Sequence, residues 1–431
     1  MAVHPAPHCS GRGDPPLNGC IMNTAITTIQ RLACSLALTL GLASVSAADH
    51  ALERAFIESF KLKNITTRLE YHDRIIALEP GSPYAQCCRG YRAYVNRDYR
   101  AAESHFTGAI EMKGDCAIAY KLRAACRARL NDYRGQINDF TRIISLEPDD
   151  WRPYYYRAHI ETLQGSCGAA IKDYSAAIRL APGKTDAYYY RSLCNRLTGN
   201  YYDALRDLDS LLSIDPENLR ALVAKGEIWS VIGDNEAALD FYNRALDLNQ
   251  SDVSALYKRG GIRADRGDAV ESVQDLDRAL KLDPGNPQIL FRKGKVLYGQ
   301  ANFREAIKNF SRSLDRDPGF TEARRYHALC LIKLNRPADA EEELSGIIRL
   351  KRHDRDAYFQ RGHARVIRKK YEEAIHDFTA AINIDPGFGR AYVQRALTYL
   401  LMGDKSRAET DLKKAFTLGE KQAVTIFEEL F

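Results

Sequence analysis

Residues 355–388 read RDAYFQRGHARVIRKKYEEAIHDFTAAINIDPGF, and residues 287–320 read PQILFRKGKVLYGQANFREAIKNFSRSLDRDPGF. The two stretches differ at most positions. They agree at Gly362 and Gly294, Ala374 and Ala306, Phe378 and Phe310, and in the closing Asp-Pro-Gly-Phe. Apolar residues fall three and four apart on either side of a short break, the pattern of two amphipathic helices joined by a turn.

The pattern extends outward on a fixed beat. Turns containing Pro80, Pro148, Pro182, Pro216, Pro284, Pro318 and Pro386 close helical stretches, and every gap is a multiple of 34. The missing beats fall on Gly114, Gln250, Arg352 and Glu420. A repeat of this period marks a solenoid, in which each unit buries its apolar face only by stacking on its neighbours. Ten units begin at Pro83, Ala117, Trp151, Thr185, Leu219, Val253, Pro287, Thr321, Arg355 and Gly389.

Within that register the eighth position is always small, from Gly90 and Ala124 to Gly362 and Ala396, and the twentieth is small except at Gln136. Four residues further on stands a large apolar side chain, among them Phe106, Tyr174, Tyr242, Phe310 and Phe378. That spacing puts it on the second-helix face that meets the first helix. Turns such as Gly199-Asn200 and Gly233-Asp234 can end one helix in the left-handed conformation, and Pro337 can open the next.

This small–small–aromatic–small–Pro spacing resembles the tetratricopeptide repeat over about residues 83–420. The resemblance implies an all-α, right-handed superhelical solenoid of antiparallel helix pairs. It also implies that the first helices line a concave groove where a protein or peptide binds. Residues 48–82 read as a divergent first repeat or cap, with Phe56 and Arg68 where small residues belong and a last helix at Tyr71 to Leu78. Residues 421–431 read as a capping helix.

At the groove-facing fifth position stand Tyr155, Tyr189, Tyr257, Phe291 and Phe359, rings that can anchor a peptide or can pack between repeats. The seventh position is basic or His in every unit, and position 23 carries Asp139, Asp173, Asp207, Asp275, Glu343, Asp377 and Asp411. These positions lie symmetrically about the turn of a helical hairpin, which predicts a salt bridge inside each such unit. Arg89, Lys225 and Lys293 face His105, Phe241 and Asn309 instead, and are expected to be free for a ligand. A heat-shock-protein clamp would need Lys at position 5 and Asn at position 9; Lys121 is followed by Ala125, so that function is unsupported.

The first residues read as a leader: translation is expected to start at Met22, with an uncharged stretch from Leu32 to Ala48 and a signal-peptidase site after Ala47. Residues 1–47 are therefore expected to be removed, and the Arg-Gly-Asp at Arg12 to Asp14 with them. The expected location is the bacterial periplasm or outside the cell. An uncleaved leader would make a membrane anchor, and a cytoplasmic protein is the further alternative. Seven cysteines lie beyond the leader, none in a Cys-x-x-Cys pair, and they read as small packing residues.

Basic residues number 62 against 56 acidic, a net charge of +6 that does not point to nucleic acid. There is no metal-binding His-Glu-x-x-His, nucleophile elbow or glycine-rich phosphate loop; Gly183-Lys184-Thr185 lacks the first glycine of one. The reading is a non-enzymatic scaffold with no cofactor or metal, binding a peptide or protein segment in the groove. The alternative is a subunit of an envelope or secretion assembly that docks by its convex face or ends; a cytosolic adaptor or enzyme-regulatory subunit ranks below both.

Overall fold

A computed structural model describes residues 45–430, which form two compact bodies divided between Asn200 and Tyr201. The predicted leader, apart from its last three residues, lies outside the described residues. Among the described residues there are twenty-three α-helices and no strand.

In the first body the helices are α1 (Val45–Ser59), α2 (Ile65–Leu78), α3 (Pro83–Val95), α4 (Tyr99–Met112), α5 (Ala117–Arg129), α6 (Tyr133–Leu146), α7 (Trp151–Leu163), α8 (Cys167–Leu180) and α9 (Thr185–Leu197). The second holds α10 (Tyr201–Ile214), α11 (Leu219–Ile232), α12 (Asn235–Leu248), α13 (Val253–Arg266), α14 (Ala269–Leu282), α15 (Pro287–Gly299), α16 (Phe303–Arg316), α17 (Thr321–Lys333), α18 (Pro337–Leu350), α19 (Arg355–Ile367), α20 (Tyr371–Ile384), α21 (Gly389–Leu401), α22 (Lys405–Thr417) and α23 (Lys421–Leu430). In each body consecutive helices pack on one another, and most odd-numbered helices also touch the next odd-numbered one.

Local chemistry sets the ends of these helices. Asp98, Asp132, Asp234, Asn302 and Asp404 each accept a backbone N–H from the turn that follows, which satisfies a donor no helical carbonyl can reach. Two residues before each second helix from α4 to α22 the chain turns through positive φ, at Gly165, Gly199, Gly233, Gly267 and Gly403, and also at Arg97, Asn131, Ala301, Asn335 and Lys369. The geometry is thus held even where the sequence offers a residue with a Cβ, at a local cost of about 1–2 kcal/mol.

Packing explains the small residues at the eighth position. A Cβ on Gly294 would lie 2.6 Å from the Phe310 ring, and one on Gly362 would lie 2.7 Å from Phe378. Both rings are fully buried, each contributing about 2–3 kcal/mol of apolar transfer. The glycines let the two helices of a pair close onto the ring between them.

The α1–α2 pair departs from that scheme for two reasons. Phe56, fully buried, fills the space an inter-helix contact would otherwise occupy and packs 5.3 Å from the His72 ring. Arg68 reaches across to close α1, donating to the Ser59 and Phe60 carbonyls at 3.2 and 3.3 Å and stacking on Phe60 and Tyr91. A large residue at each expected small position is accommodated by a polar cap in one case and an aromatic core in the other.

Candidate binding face

In five units the basic residue at the seventh position of the first helix bridges two second helices. Arg123 donates to Asp139, Arg157 to Asp173, Arg259 to Asp275, Arg361 to Asp377 and Arg395 to Asp411, each sixteen residues downstream at 2.5–3.3 Å. Each of these guanidiniums also donates sixteen residues upstream, to Thr107, Thr141, Asn243, Ser345 and Thr379 on the preceding pair. The fork geometry of arginine suits this bridging, since one edge grips the carboxylate and the free NH2 reaches the neighbour.

Lys225 and Lys293 correct the sequence expectation. Neither is free: Lys225 is 7% exposed and paired with Asp209, and Lys293 Nζ lies 2.5 Å from Asp277 Oδ1. Where the downstream acid is replaced by Phe241 or Asn309, the upstream partner has become an aspartate, so the charge is neutralised from the preceding pair. Arg89 donates to the Pro80 carbonyl at 3.0 Å. The hairpin symmetry identified the downstream acid; the upstream partner lies across a boundary between repeats, and only its own periodicity (Thr107, Thr141, Ser175, Asp209, Asn243, Asp277) could have indicated it.

Aromatic side chains at and beside the fifth position divide into buried and half-buried. Phe359 is 6% exposed, wedged against Phe378 and Phe388, so it serves the core and does not face a groove. Tyr155 is half-buried in a ring cluster with Trp151, Tyr174 and Tyr190 at 5.9–6.3 Å. Next to it, Tyr156 is 46% exposed and stacks on Phe140, while Tyr189 meets Tyr190 edge-on at 5.5 Å. In the second body Phe291 contacts Phe320 at 4.7 Å and Tyr326 at 5.7 Å, and Tyr257 lies under the Arg292 guanidinium at 5.1 Å.

Models of the tetratricopeptide repeat match residues 89–150, 158–218, 198–253, 231–287, 297–366, 356–388 and 389–422. The chain belongs to the tetratricopeptide-repeat family. Solved structures similar to this tetratricopeptide-repeat protein include YrrB, described as having an unusual peptide-binding site, at 22% identity and a TM-score of 0.38 over 44% of this chain and 98% of that one. A tetratricopeptide-repeat protein from Parabacteroides merdae is 20% identical with a TM-score of 0.44, covering 57% of this chain and 98% of its own. Yeast Tom70 is 16% identical with a TM-score of 0.38, covering 80% and 95%. No curated protein matches the chain by sequence.

In this tetratricopeptide-repeat protein the surface that sequence reasoning underestimated is the sixth position, one residue beyond the one singled out. Tyr156, Tyr190, Arg292 and Tyr326 occupy it, and each touches a position-5 ring: Tyr156 and Tyr190 meet Tyr155 at 5.5 and 6.3 Å, Arg292 lies over Tyr257, and Tyr326 meets Phe291 at 5.7 Å. A helix presents a band about a third of its circumference wide, so a single heptad-like position understates it. The cysteines Cys87, Cys88, Cys116, Cys126, Cys167, Cys194 and Cys330 are buried free thiols, and burial pushes Cys88, Cys126 and Cys330 up to about 12.

One step of the ladder is incomplete. His327 stands where arginine or lysine stands elsewhere; it meets Ser311 at 3.0 Å and Glu343 at 3.4 Å, and its Nδ1 has no hydrogen-bond partner. A pocket of about 470 Å³ opens beside it, its lining including Ser311, Arg324, His327, Leu331 and Gly346. Burial, together with Arg324, holds the imidazole toward its neutral form despite Glu343. No group of three or more metal-ligating side chains occurs among the described residues, and no described helix is long and apolar enough to cross a membrane.

Proposed function

We propose that this protein is a non-catalytic scaffold that holds a peptide or protein segment along the face lined by its first helices. Tetratricopeptide-repeat proteins generally mediate protein–protein interaction. The observation that carries the more specific reading is the half-buried aromatic surface on those helices: Tyr155, Tyr156 and Tyr189 in one body, Tyr257, Phe291 and Tyr326 in the other. Rings already braced by neighbours lose little side-chain freedom on binding, so more of the buried area appears as affinity.

The experiment is affinity purification of the tagged protein followed by titration of the partner it retains. Tyr155→Ala with Tyr189→Ala, and separately Phe291→Ala, should weaken binding by about tenfold or more while helicity is kept. Unchanged affinity in both variants defeats the reading. Export rests on the Met22–Ala47 leader; sequencing the mature amino terminus tests it, and a start at Ala48 is the expected result.

A second reading, a subunit docking through the outer helices, has one observation in its favour. Ile214, Leu248, Leu282 and Leu350, at the ends of four second helices of the second body, are 44–67% exposed. Crosslinkers placed at Leu282 and at Tyr326 separate the two, since the captured partner reports which face it occupies.

A further inference from the structure

We propose that the segment bound by the second body is acidic, and that Arg292 and Lys295 on α15 grip its carboxylates. This rests on the first-helix face being the binding face. Cations elsewhere around this patch are neutralised: Lys258 meets Glu227 at 3.1 Å, Lys293 meets Asp277 at 2.5 Å, and Arg325 meets Asp354 at 2.6 Å. Arg292 and Lys295 make no ion pair or hydrogen bond with any described residue, yet they stand one helical turn apart on the same face.

Aromatic rings hold them there. The Arg292 guanidinium lies 5.1 Å from the Tyr257 ring centre, and Lys295 Nζ lies 5.8 Å from Phe291 and 5.6 Å from Tyr326. Gly261 makes the space: a Cβ there would fall 2.3 Å from Arg292 Nη1. A side chain at that place would push the guanidinium away from α13, against which it now rests. A cation seated on rings is partly stripped of water but not neutralised, which favours an incoming carboxylate over a solvated counter-ion.

The spacing indicates how the ligand presents its charge. Side chains three apart on a helix start roughly 5–6 Å apart. Alternate side chains of an extended chain are about 7 Å apart on one face, so two acidic residues separated by one other match the pair. An apolar side chain two residues further along the same face then meets Tyr326 and Tyr298, both half-buried. A nucleic acid backbone would call for a continuous basic track, and here the flanking cations are already committed to acids of this chain.

The test uses the full chain and a fluorescein-labelled peptide in which glutamate alternates with leucine and phenylalanine, followed by anisotropy. Its glutamine twin is the control. The glutamate peptide should bind at least about tenfold more tightly than the twin, with an affinity that falls as salt rises. Arg292→Gln with Lys295→Gln should abolish that preference, and Gly261→Ala, which displaces the guanidinium, should reduce it. Circular dichroism checks that each variant keeps its helices. Equal binding of both peptides, lost on Tyr326→Ala, would overturn the acidic assignment and leave the groove reading intact. Binding of neither peptide would count against both. Competition by an oligothymidylate as strong as by the glutamate peptide would also overturn the assignment, in favour of a nucleic acid.

Discussion

Lys293 Nζ reaches back sixteen residues to Asp277 Oδ1 at 2.5 Å, whereas Arg361 reaches forward sixteen residues to Asp377 at 2.7 Å. The two bridges share a position on the first helix and differ in which neighbour supplies the acid. They also differ in burial: Asp277 is 46% exposed and Asp377 fully buried, with Arg365 donating to it as well at 2.9 Å. Asp377→Ala leaves the partly buried Arg361 guanidinium without a counter-charge, while Arg365 keeps Glu341 at 2.9 Å, and should cost about 3–5 kcal/mol. Asp277→Ala removes a solvent-screened partner and should cost under about 1 kcal/mol. Denaturation midpoints of the two variants check the ordering; equal losses would mean that the buried acid is no more important than the exposed one.

Gly294→Ala tests the close approach of α15 and α16. The added methyl meets the Phe310 ring at 2.6 Å, a contact that only displacement of the ring or the helix can relieve. Overpacking of this kind costs about 1–3 kcal/mol. Gly299→Ala, which has open space around it, serves as the control on the same helix. The prediction fails if the two variants melt alike.

Ala301 turns through φ 57°, a left-handed conformation that glycine adopts freely. Ala301→Gly should therefore stabilise the protein, and Lys369→Gly, at φ 58°, likewise, by about 1 kcal/mol each. The gain is offset in part by the greater freedom of glycine in the unfolded chain. A lowered melting temperature in both would show that the contacts of the methyl and of the lysine stem outweigh the backbone strain.

His72 sits in an aromatic core with Phe56, Phe60 and Tyr91, its Nε2 2.8 Å from Ser59 Oγ and its Nδ1 without a partner. Burial, reinforced by Arg68 and Arg92, lowers its pKa from 6.5 to about 4. The folded state therefore holds the imidazole neutral while the unfolded chain protonates near 6.5. Between those values the unfolded state binds more protons, so stability is complete above 6.5 and is lost progressively as the pH falls toward 4. His72→Leu should flatten that part of the pH dependence, read as denaturation midpoints at pH 7 and pH 5. His159 and His363 are also lowered by burial and retain a residual slope. An unchanged slope in the variant would place the titration elsewhere.

The sequence by itself determined the helix pairs, their period, and the small-against-large packing at the eighth and twenty-fourth positions. Those features repeat because each unit meets the same kind of neighbour, and repetition turns weak local preference into a legible pattern. It also identified the downstream acids, since Arg361 and Asp377 are related by the symmetry of a single hairpin. Only the tertiary structure decided that Lys225 and Lys293 are neutralised by Asp209 and Asp277, that Phe359 belongs to the core, and that Arg292 and Lys295 are left without acids. Each of these depends on which side chains of adjacent pairs come within a few ångströms. That distance is set by packing between repeats, where a Cβ on Gly261 would fall 2.3 Å from Arg292 Nη1.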